Sequence, residues 1–347
     1  MSSNASALET PLRHPATSAQ LASTIASQRL ASCAVTVIGY GVMGRHYVAA
    51  LRALGVSTIR VCSRSPQPLE ALRNSPDVQI LAGGFEALDV RSQPEELAII
   101  AAPTHLLGKV ARHLAALGFR RLLIEKPVSL WARDIEQLAE ALERQGVTAV
   151  CAYNRVAYPA CVEVAARAAE EGGISSCTYS FTEMIKPDWP QRFPKEELAR
   201  WGIANSLHVI SMAHGLIGAP LRWSCTRTGS IAWHPTGAVF VGSGVSEREI
   251  PFAYHADWGS KSRWSVELHT RTASYRLCPL ENVFRKAVAT GEWEDVPVAS
   301  FSSEIKAGIL EEVAAMLSED VRAVIPLASL RQAAALTRYA EDVFGYA

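Results

Sequence analysis

In the first half of the chain, apolar residues fall in short continuous blocks separated by stretches of helical spacing. Cys33-Ala-Val-Thr-Val-Ile38 is rich in β-branched residues and too short for a helix, which predicts a strand buried on both faces. Arg45–Leu54 follows with helical spacing and stops at Gly55. Ser57–Cys62, Leu97–Ala102 and Arg121–Ile124 repeat the strand signature, with a helix predicted over Leu106–Leu117. Strands alternating with helices in this way predict a parallel sheet.

Beyond about residue 152 the period changes to two. Ser176–Met184, Leu221–Trp233, Ala238–Val245, Arg248–Trp258 and Arg263–Leu277 all alternate. In the last run Trp264, Val266 and Leu268 share one face, with Glu267, His269 and Arg271 on the other. Helices are predicted over Ala160–Glu171, Ile203–Ile217, Ser302–Ser318 and Ala328–Val343. Consecutive strands with short turns predict an α+β unit with a mostly antiparallel, open-faced sheet.

Between the first strand and its helix lies Gly39-Tyr-Gly-Val-Met-Gly44. Gly39 permits the tight turn, Gly41 lets backbone approach a pyrophosphate, and Gly44 lets helix and strand pack closely. Val42 and Met43 fall in the same cofactor-binding turn, and the N-terminus of the helix after it offers free N–H groups to the phosphates. This reads as a Rossmann dinucleotide-binding domain over residues 33–152. An α+β substrate and oligomerisation domain follows over 153–347, whose C-terminal helix could pack back on the first. Residues 1–32, Ser- and Ala-rich, read as a flexible arm with a short helix near Ala19–Ser32; a transit peptide is the weaker reading.

Composition narrows the function classes. A length of 347 residues suggests two domains, and a formal charge of zero gives no footprint for nucleic acid or an anionic membrane. No apolar run approaches the roughly 20 residues that span a bilayer. The seven cysteines form no C-x-x-C pair and read as reduced thiols of a cytoplasmic protein. No His, Cys or acidic spacing suggests a metal site.

The second strand ends in Ser63-Arg64-Ser65, where an NAD-binding protein usually places an acid on the ribose hydroxyls. Arg64, with Ser63 and Ser65, could hold a 2′-phosphate instead, so NADP(H) is the preferred cofactor and NAD(H) a possible one; a solvated loop arginine is the bland reading. Pro103-Thr104-His105 ends another strand on the cofactor side, although His105 would serve equally as a helix cap. A further strand ends in Glu125-Lys126-Pro127.

That tripeptide, some eighty residues after the glycine turn, resembles the glucose–fructose oxidoreductase/inositol dehydrogenase (Gfo/Idh/MocA) family. Pro103-Thr104, the crossover segment Ala152-Tyr153-Asn154-Arg155 and the run from Trp201-Gly202 through Asn205 to His208 match its motifs in the same order. The resemblance implies Glu125, Lys126 and Pro127 beside the nicotinamide, with a cis bond at the proline. It implies Lys126 and His208 as catalytic residues, and Tyr153, Asn154, Arg155, Asn205 and His208 at the substrate. Trp189, in Lys186-Pro-Asp-Trp189-Pro, suits a sugar face or a packed core equally. Asn205, His208 and Ser211 share a helix face, while His214 points elsewhere and reads as structural. The family often has Asp four residues before the histidine and three after it. Ala204 and Ser211 stand there, leaving Asn205 or Ser211 to orient the imidazole.

The expected protein is an NADP(H)-dependent oxidoreductase acting on a small polyhydroxylated substrate, a sugar or cyclitol. The resemblance also implies a homodimer or homotetramer formed through the C-terminal sheet. A non-catalytic, cofactor-sensing regulator on the same fold is the alternative, as is an imine or diketone reductase.

Overall fold

The computed structural model describes residues 16–89, 92, 93, 95–299 and 304–346. Its first sheet contains β1 (Ala34–Ile38), β2 (Thr58–Ser63), β3 (Val78–Ala82), β4 (Leu97–Ile100), β5 (Arg121–Glu125) and β6 (Thr148–Ala152). They lie in the order β6-β5-β4-β1-β2-β3, all parallel, and Ala328–Ser329 adds a short antiparallel strand on β6. All of β1 and β4 is buried, as their unbroken apolar runs require. Register does the positioning. Ile38 pairs with both Cys62 and Ile100, and Ile100 with Ile124, so four strand ends finish level. Gly39, Ser63, Ala101 and Glu125 therefore meet along one edge, where the strand order reverses and ligands bind in such sheets.

The second sheet runs β14-β13-β12-β11-β7-β10-β9-β8. Its members are β7 (Ser176–Ser180), β8 (Pro220–Thr228), β9 (Val239–Ser246), β10 (Pro251–Asp257), β11 (Ser265–His269), β12 (Ala273–Leu277), β13 (Val283–Ala287) and β14 (Trp293–Val296). Only the β7–β10 pair is parallel. One face, with Tyr179, Phe240, Tyr254, Val266, Leu268 and Tyr275, is buried under the helices Leu207–Ile217 and Leu330–Phe344. The other presents Thr178, Ser243, His255, Glu267, His269 and Arg276 at the surface or half-buried.

Three sequence expectations change. The run Arg263–Leu277 is not one strand but the hairpin β11–β12, because the Thr270 hydroxyl accepts the N–H groups of Thr272 and Ala273 and turns the chain. Arg263 and Arg271 consequently leave the open face, and Trp264 leaves the core face. The half-exposed edge strand β3 carries too weak a pattern to show in sequence. The helix expected over Ile203–Ile217 opens with a π turn, Gly202–Ser206, before the α-helix Leu207–Ile217.

The C-terminal helix Leu330–Phe344 touches both sheets' helical and strand layers. Arg331 pairs with Glu143 and Arg338 with Glu136 on the helix Ala132–Glu143, while Tyr339 meets Trp223 of β8 edge-on at 5.1 Å. Near the other end, the helix Ser18–Ser27 buries Leu21 and Ile25, and Ser18 donates from both its N–H and its hydroxyl to Glu163 at 2.9 Å. Residues 1–15 of the expected flexible arm lie outside the described residues.

Candidate active site

Each glycine of the turn has a separate reason to be glycine. At Gly39, with φ +100°, a Cβ would sit 2.3 Å from the Ala101 carbonyl oxygen; at Gly44 it would sit 2.1 Å from that of Gly39. Nothing lies within 4 Å of the Cβ position of Gly41, which leaves its backbone open to a ligand. No side chain caps the helix Val42–Ala53 that follows, and its first turn has no acid. Its N–H groups are thus available to an anion. This cradle fits the pyrophosphate of a dinucleotide. At the end of β2, Arg64 is exposed and makes no ion pair among the described residues, and Ser63 donates to the Ser65 carbonyl at 3.4 Å.

Lys126 projects from the end of β5 to the second domain, where its Nζ donates to the carbonyl of Ala204 at 2.7 Å. The Lys126–Pro127 peptide is cis, and Val128 after it has φ +65°, a left-handed conformation unusual for a β-branched residue. Burial lowers the Lys126 pKa to about 8; Glu125 opposes the shift, and Arg155 and Lys306 add to it. The Glu125 carboxylate is held by the Tyr47 hydroxyl at 2.8 Å, with Glu312 on the same hydroxyl at 3.1 Å, and burial raises both acids.

The π turn Gly202–Ser206 is the hinge point of the site. Tight packing fixes it, since a Cβ on Gly202 would sit 2.2 Å from the Phe344 ring, and the Gly202 N–H donates to the Tyr346 hydroxyl at 2.9 Å. Just before it, Arg200 donates to the Leu130 carbonyl at 2.8 Å and pairs with Glu341 at 2.6 Å, with its guanidinium 3.5 Å from the centre of the Trp131 ring. One turn of backbone therefore receives Lys126 on its Ala204 carbonyl and is locked to the loop that follows Lys126. Single π turns of this kind recur at functional sites.

Asn205 and Ser206 of this turn both donate to one carboxyl, that of Glu183 just past β7, at 2.9 and 2.7 Å. Burial raises the Glu183 pKa to about 7 against those hydrogen bonds. Neither Asn205 nor Ser211 orients the imidazole, as the sequence had suggested: Asn205 holds Glu183, and Ser211 donates to the backbone carbonyl of His208 at 3.2 Å. The π turn changes the helical phase between Asn205 and His208, which a 3.6-residue pattern does not reveal. His208 itself is buried, with Nδ1 lacking any hydrogen-bond partner among the described residues and its ring 6.0 Å from that of Trp264. Burial, then Lys126, Arg155 and Lys306, keep its pKa well below the usual histidine value, so it is neutral at pH 7.

A cavity of about 300 Å³ opens beside this group, lined in part by Arg155, Glu183, Trp189, Arg263, Trp264 and Glu281. Trp189 also packs on Trp201 at 4.6 Å and serves the core as well. Tyr153 and Asn154 do not line the cavity. Tyr153 is buried beside Cys151 and Thr337, and Asn154 donates to the Ala307 carbonyl at 2.9 Å. That bond holds the segment carrying Lys306, whose Nζ lies 3.6 Å from Met43 Sδ in the first turn of the dinucleotide helix. Glu183, Trp264 and Lys306 were missed by sequence reading, because each lies in an irregular segment with no motif around it. Thr104 and exposed His105 line a larger cleft of about 450 Å³ that contains neither Lys126 nor His208. His214 bonds the Gly218 carbonyl at 2.9 Å and the Tyr179 hydroxyl at 3.2 Å, and burial lowers its pKa to about 4, so it is structural.

The fold and the glycine cradle define a nucleotide-binding Rossmann protein with a second, sheet-based domain. Residues 33–153 match the profile of the Gfo/Idh/MocA oxidoreductase family, described as an NAD-binding Rossmann fold. No curated protein matches it in sequence. Solved structures share the fold at low identity. An oxidoreductase from Agrobacterium radiobacter, in complex with NAD+, L-tartaric acid and magnesium, gives a TM-score of 0.71 at 13% identity, covering 90% of this chain and 95% of its own. UDP-N-acetylglucosamine 3-dehydrogenase GnnA from Acidithiobacillus ferrooxidans gives 0.66 at 14%, covering 89% and 95%. The super-repressor mutant of Gal80p from Saccharomyces cerevisiae gives 0.71 at 12%, covering 90% and 95%.

Proposed function

We propose that this protein is an NADP(H)-dependent dehydrogenase or reductase acting on a carbinol or carbonyl carbon of a sugar or cyclitol. The observation that carries the reading is the π turn. It fixes the Lys126 ammonium through Ala204, holds the Glu183 carboxyl through Asn205 and Ser206, and leads directly into His208. The nicotinamide, when bound, accepts or supplies the hydride. The first-turn N–H groups after Gly41, with Gly39 and Gly44, would hold its pyrophosphate, and Lys126 would stand by the reacting oxygen. With one N–H spent on Ala204, the ammonium keeps two to stabilise charge on that oxygen. The imidazole of His208, neutral and with an unpartnered Nδ1, accepts the hydroxyl proton. Glu183 and the aromatic walls Trp189 and Trp264 position the polyol. Turnover of a panel of sugars and cyclitols, followed by the absorbance of reduced nicotinamide, tests the reading. Tight cofactor binding without turnover of any of them would favour the sensing regulator.

The NADP(H) preference rests on Arg64, exposed at the end of β2 with no ion pair among the described residues. A charge-assisted bond to a 2′-phosphate is worth about 1.5–3 kcal/mol, so Arg64→Ala should weaken NADP+ binding about ten- to a hundredfold and leave NAD+ unchanged. Titration of both cofactors checks this; equal affinities in the wild type would leave the arginine solvated only.

The polar open face of the second sheet supports assembly as a homodimer or homotetramer, with Thr178, His255, Glu267 and Arg276 available to pair across a two-fold axis. A stable monomer by sedimentation at micromolar concentration would contradict it. All seven cysteines are unpaired thiols, which supports a reducing, cytoplasmic setting, and among the described residues no helix is long and apolar enough to cross a membrane.

A further inference from the structure

We propose that the substrate carries a carboxylate held by Arg155, so that the site takes hydroxy acids of the sugar-acid type in preference to neutral sugars or cyclitols. This rests on the oxidoreductase reading above and narrows its substrate class.

Arg155 leaves the crossover segment after β6 and lines the 300 Å³ cavity. Its Nε and Nη1 are buried and have no hydrogen-bond partner, and it forms no ion pair among the described residues. Its guanidinium carbon lies 5.0 Å from the centre of the Trp264 ring and 6.0 Å from that of Tyr158, so aromatic walls fix the plane of the group. A buried cation with unmade hydrogen bonds is costly to leave so. Glu281 and Glu183 favour its charge through space against the burial that lowers its pKa, but neither accepts a hydrogen bond from it. Of the carboxylates on the cavity wall, Glu183 is taken by Asn205 and Ser206, and Glu281 accepts from the Tyr158 hydroxyl at 3.2 Å. The missing partner therefore comes from the ligand. A planar guanidinium accepts a planar carboxylate with two parallel hydrogen bonds, a match that a hydroxyl cannot offer.

The surrounding charge agrees. Arg155, Arg263, Glu183 and Glu281 line the cavity, and Lys126 and Lys306 stand behind it, close enough that both lysines and Arg155 act on His208. Glu125 and Glu312 act on the two lysines, which leaves Arg155 and Arg263 on the cavity wall to meet an acid, whose hydroxyls would then face Glu183.

The full-length protein, saturated with NADP+, is titrated with uronates and aldonates, each against its neutral parent: glucuronate against glucose, galacturonate against galactose, gluconate against sorbitol. Quenching of the cavity tryptophans, Trp189 and Trp264, reports binding. At least one acid should bind about ten- to a hundredfold more tightly than its parent. Arg155→Met should erase that preference, and Arg155→Lys should keep part of it. Should the methionine variant fail to fold, a preference undiminished in Arg155→Lys overturns the proposal. Equal binding of acid and parent, no binding of any acid, tighter binding of glucose phosphate than of glucuronate, or a preference that survives Arg155→Met also overturns it. Turnover measured in parallel separates the two readings. Arg155-dependent acid binding without hydride transfer refutes the dehydrogenase and leaves the carboxylate site standing.

Discussion

Lys126→Ala is expected to lower kcat by at least about a hundredfold while cofactor affinity is nearly kept. Removing hydride and proton from a carbinol builds negative charge on oxygen in the transition state, and a fixed ammonium in a water-poor site opposes that charge strongly. Removal of an oxyanion donor elsewhere costs about 10²–10³ in rate. Lys126 is fixed by its bond to Ala204, so it needs little rearrangement to act. The pH profile gives a second test. With a pKa lowered to about 8, the lysine is mostly charged at pH 7 and loses its proton as the pH passes 8. Oxidation by the wild type should therefore fall above about pH 8. Lys126→Arg, which does not titrate in that range, should lose that limb whatever its absolute rate. Wild-type kcat in Lys126→Ala would remove lysine from the chemistry.

The parallel sheet and its cofactor edge were legible because they depend on local signals. Continuous apolar runs place β1 and β4, and the Gly39–Gly44 turn has a steric reason at each glycine that a contact distance states directly. The Glu125-Lys126-Pro127 tripeptide likewise marks a strand end, and the structure places Lys126 there. The acid side of the site was not legible. Glu183 lies just past the end of a short alternating strand, and only the fold brings it to the π turn, some twenty residues later in sequence. Sequence reading therefore looked for a carboxylate on the histidine's own helix, where Ala204 and Ser211 stand. The structure instead places one, from the segment after β7, on Asn205 and Ser206 of the π turn. Lys306 is similar: its position depends on Asn154 holding Ala307, and on Gly308 with φ +79°, where a Cβ would sit 1.9 Å from the Asn154 carbonyl oxygen. Contacts of that kind join distant segments, and no periodicity records them.

His208→Ala is expected to lower kcat by about a hundredfold, toward the low end of the range for general acid–base catalysis. The loss should be no larger, because a Lys126 with a pKa of about 8 can carry part of the proton transfer. Two features favour the imidazole as the proposed proton acceptor: Nδ1 has no hydrogen-bond partner among the described residues, and the ring is neutral at pH 7. Burial and three cations hold its pKa well below 6.5, so protonation should not diminish activity between pH 6.5 and 7.5. An acid limb centred near 6.5 would instead describe a solvated histidine with no special task. Glu183 is the competing acceptor, since its pKa of about 7 would make oxidation rise with pH through neutrality as the carboxylate forms. The comparison that decides is kcat/KM against pH for the wild type, His208→Ala and Glu183→Gln. A rise through pH 7 that disappears in Glu183→Gln, together with full activity in His208→Ala, would move the proton transfer to Glu183 and return His208 to the core.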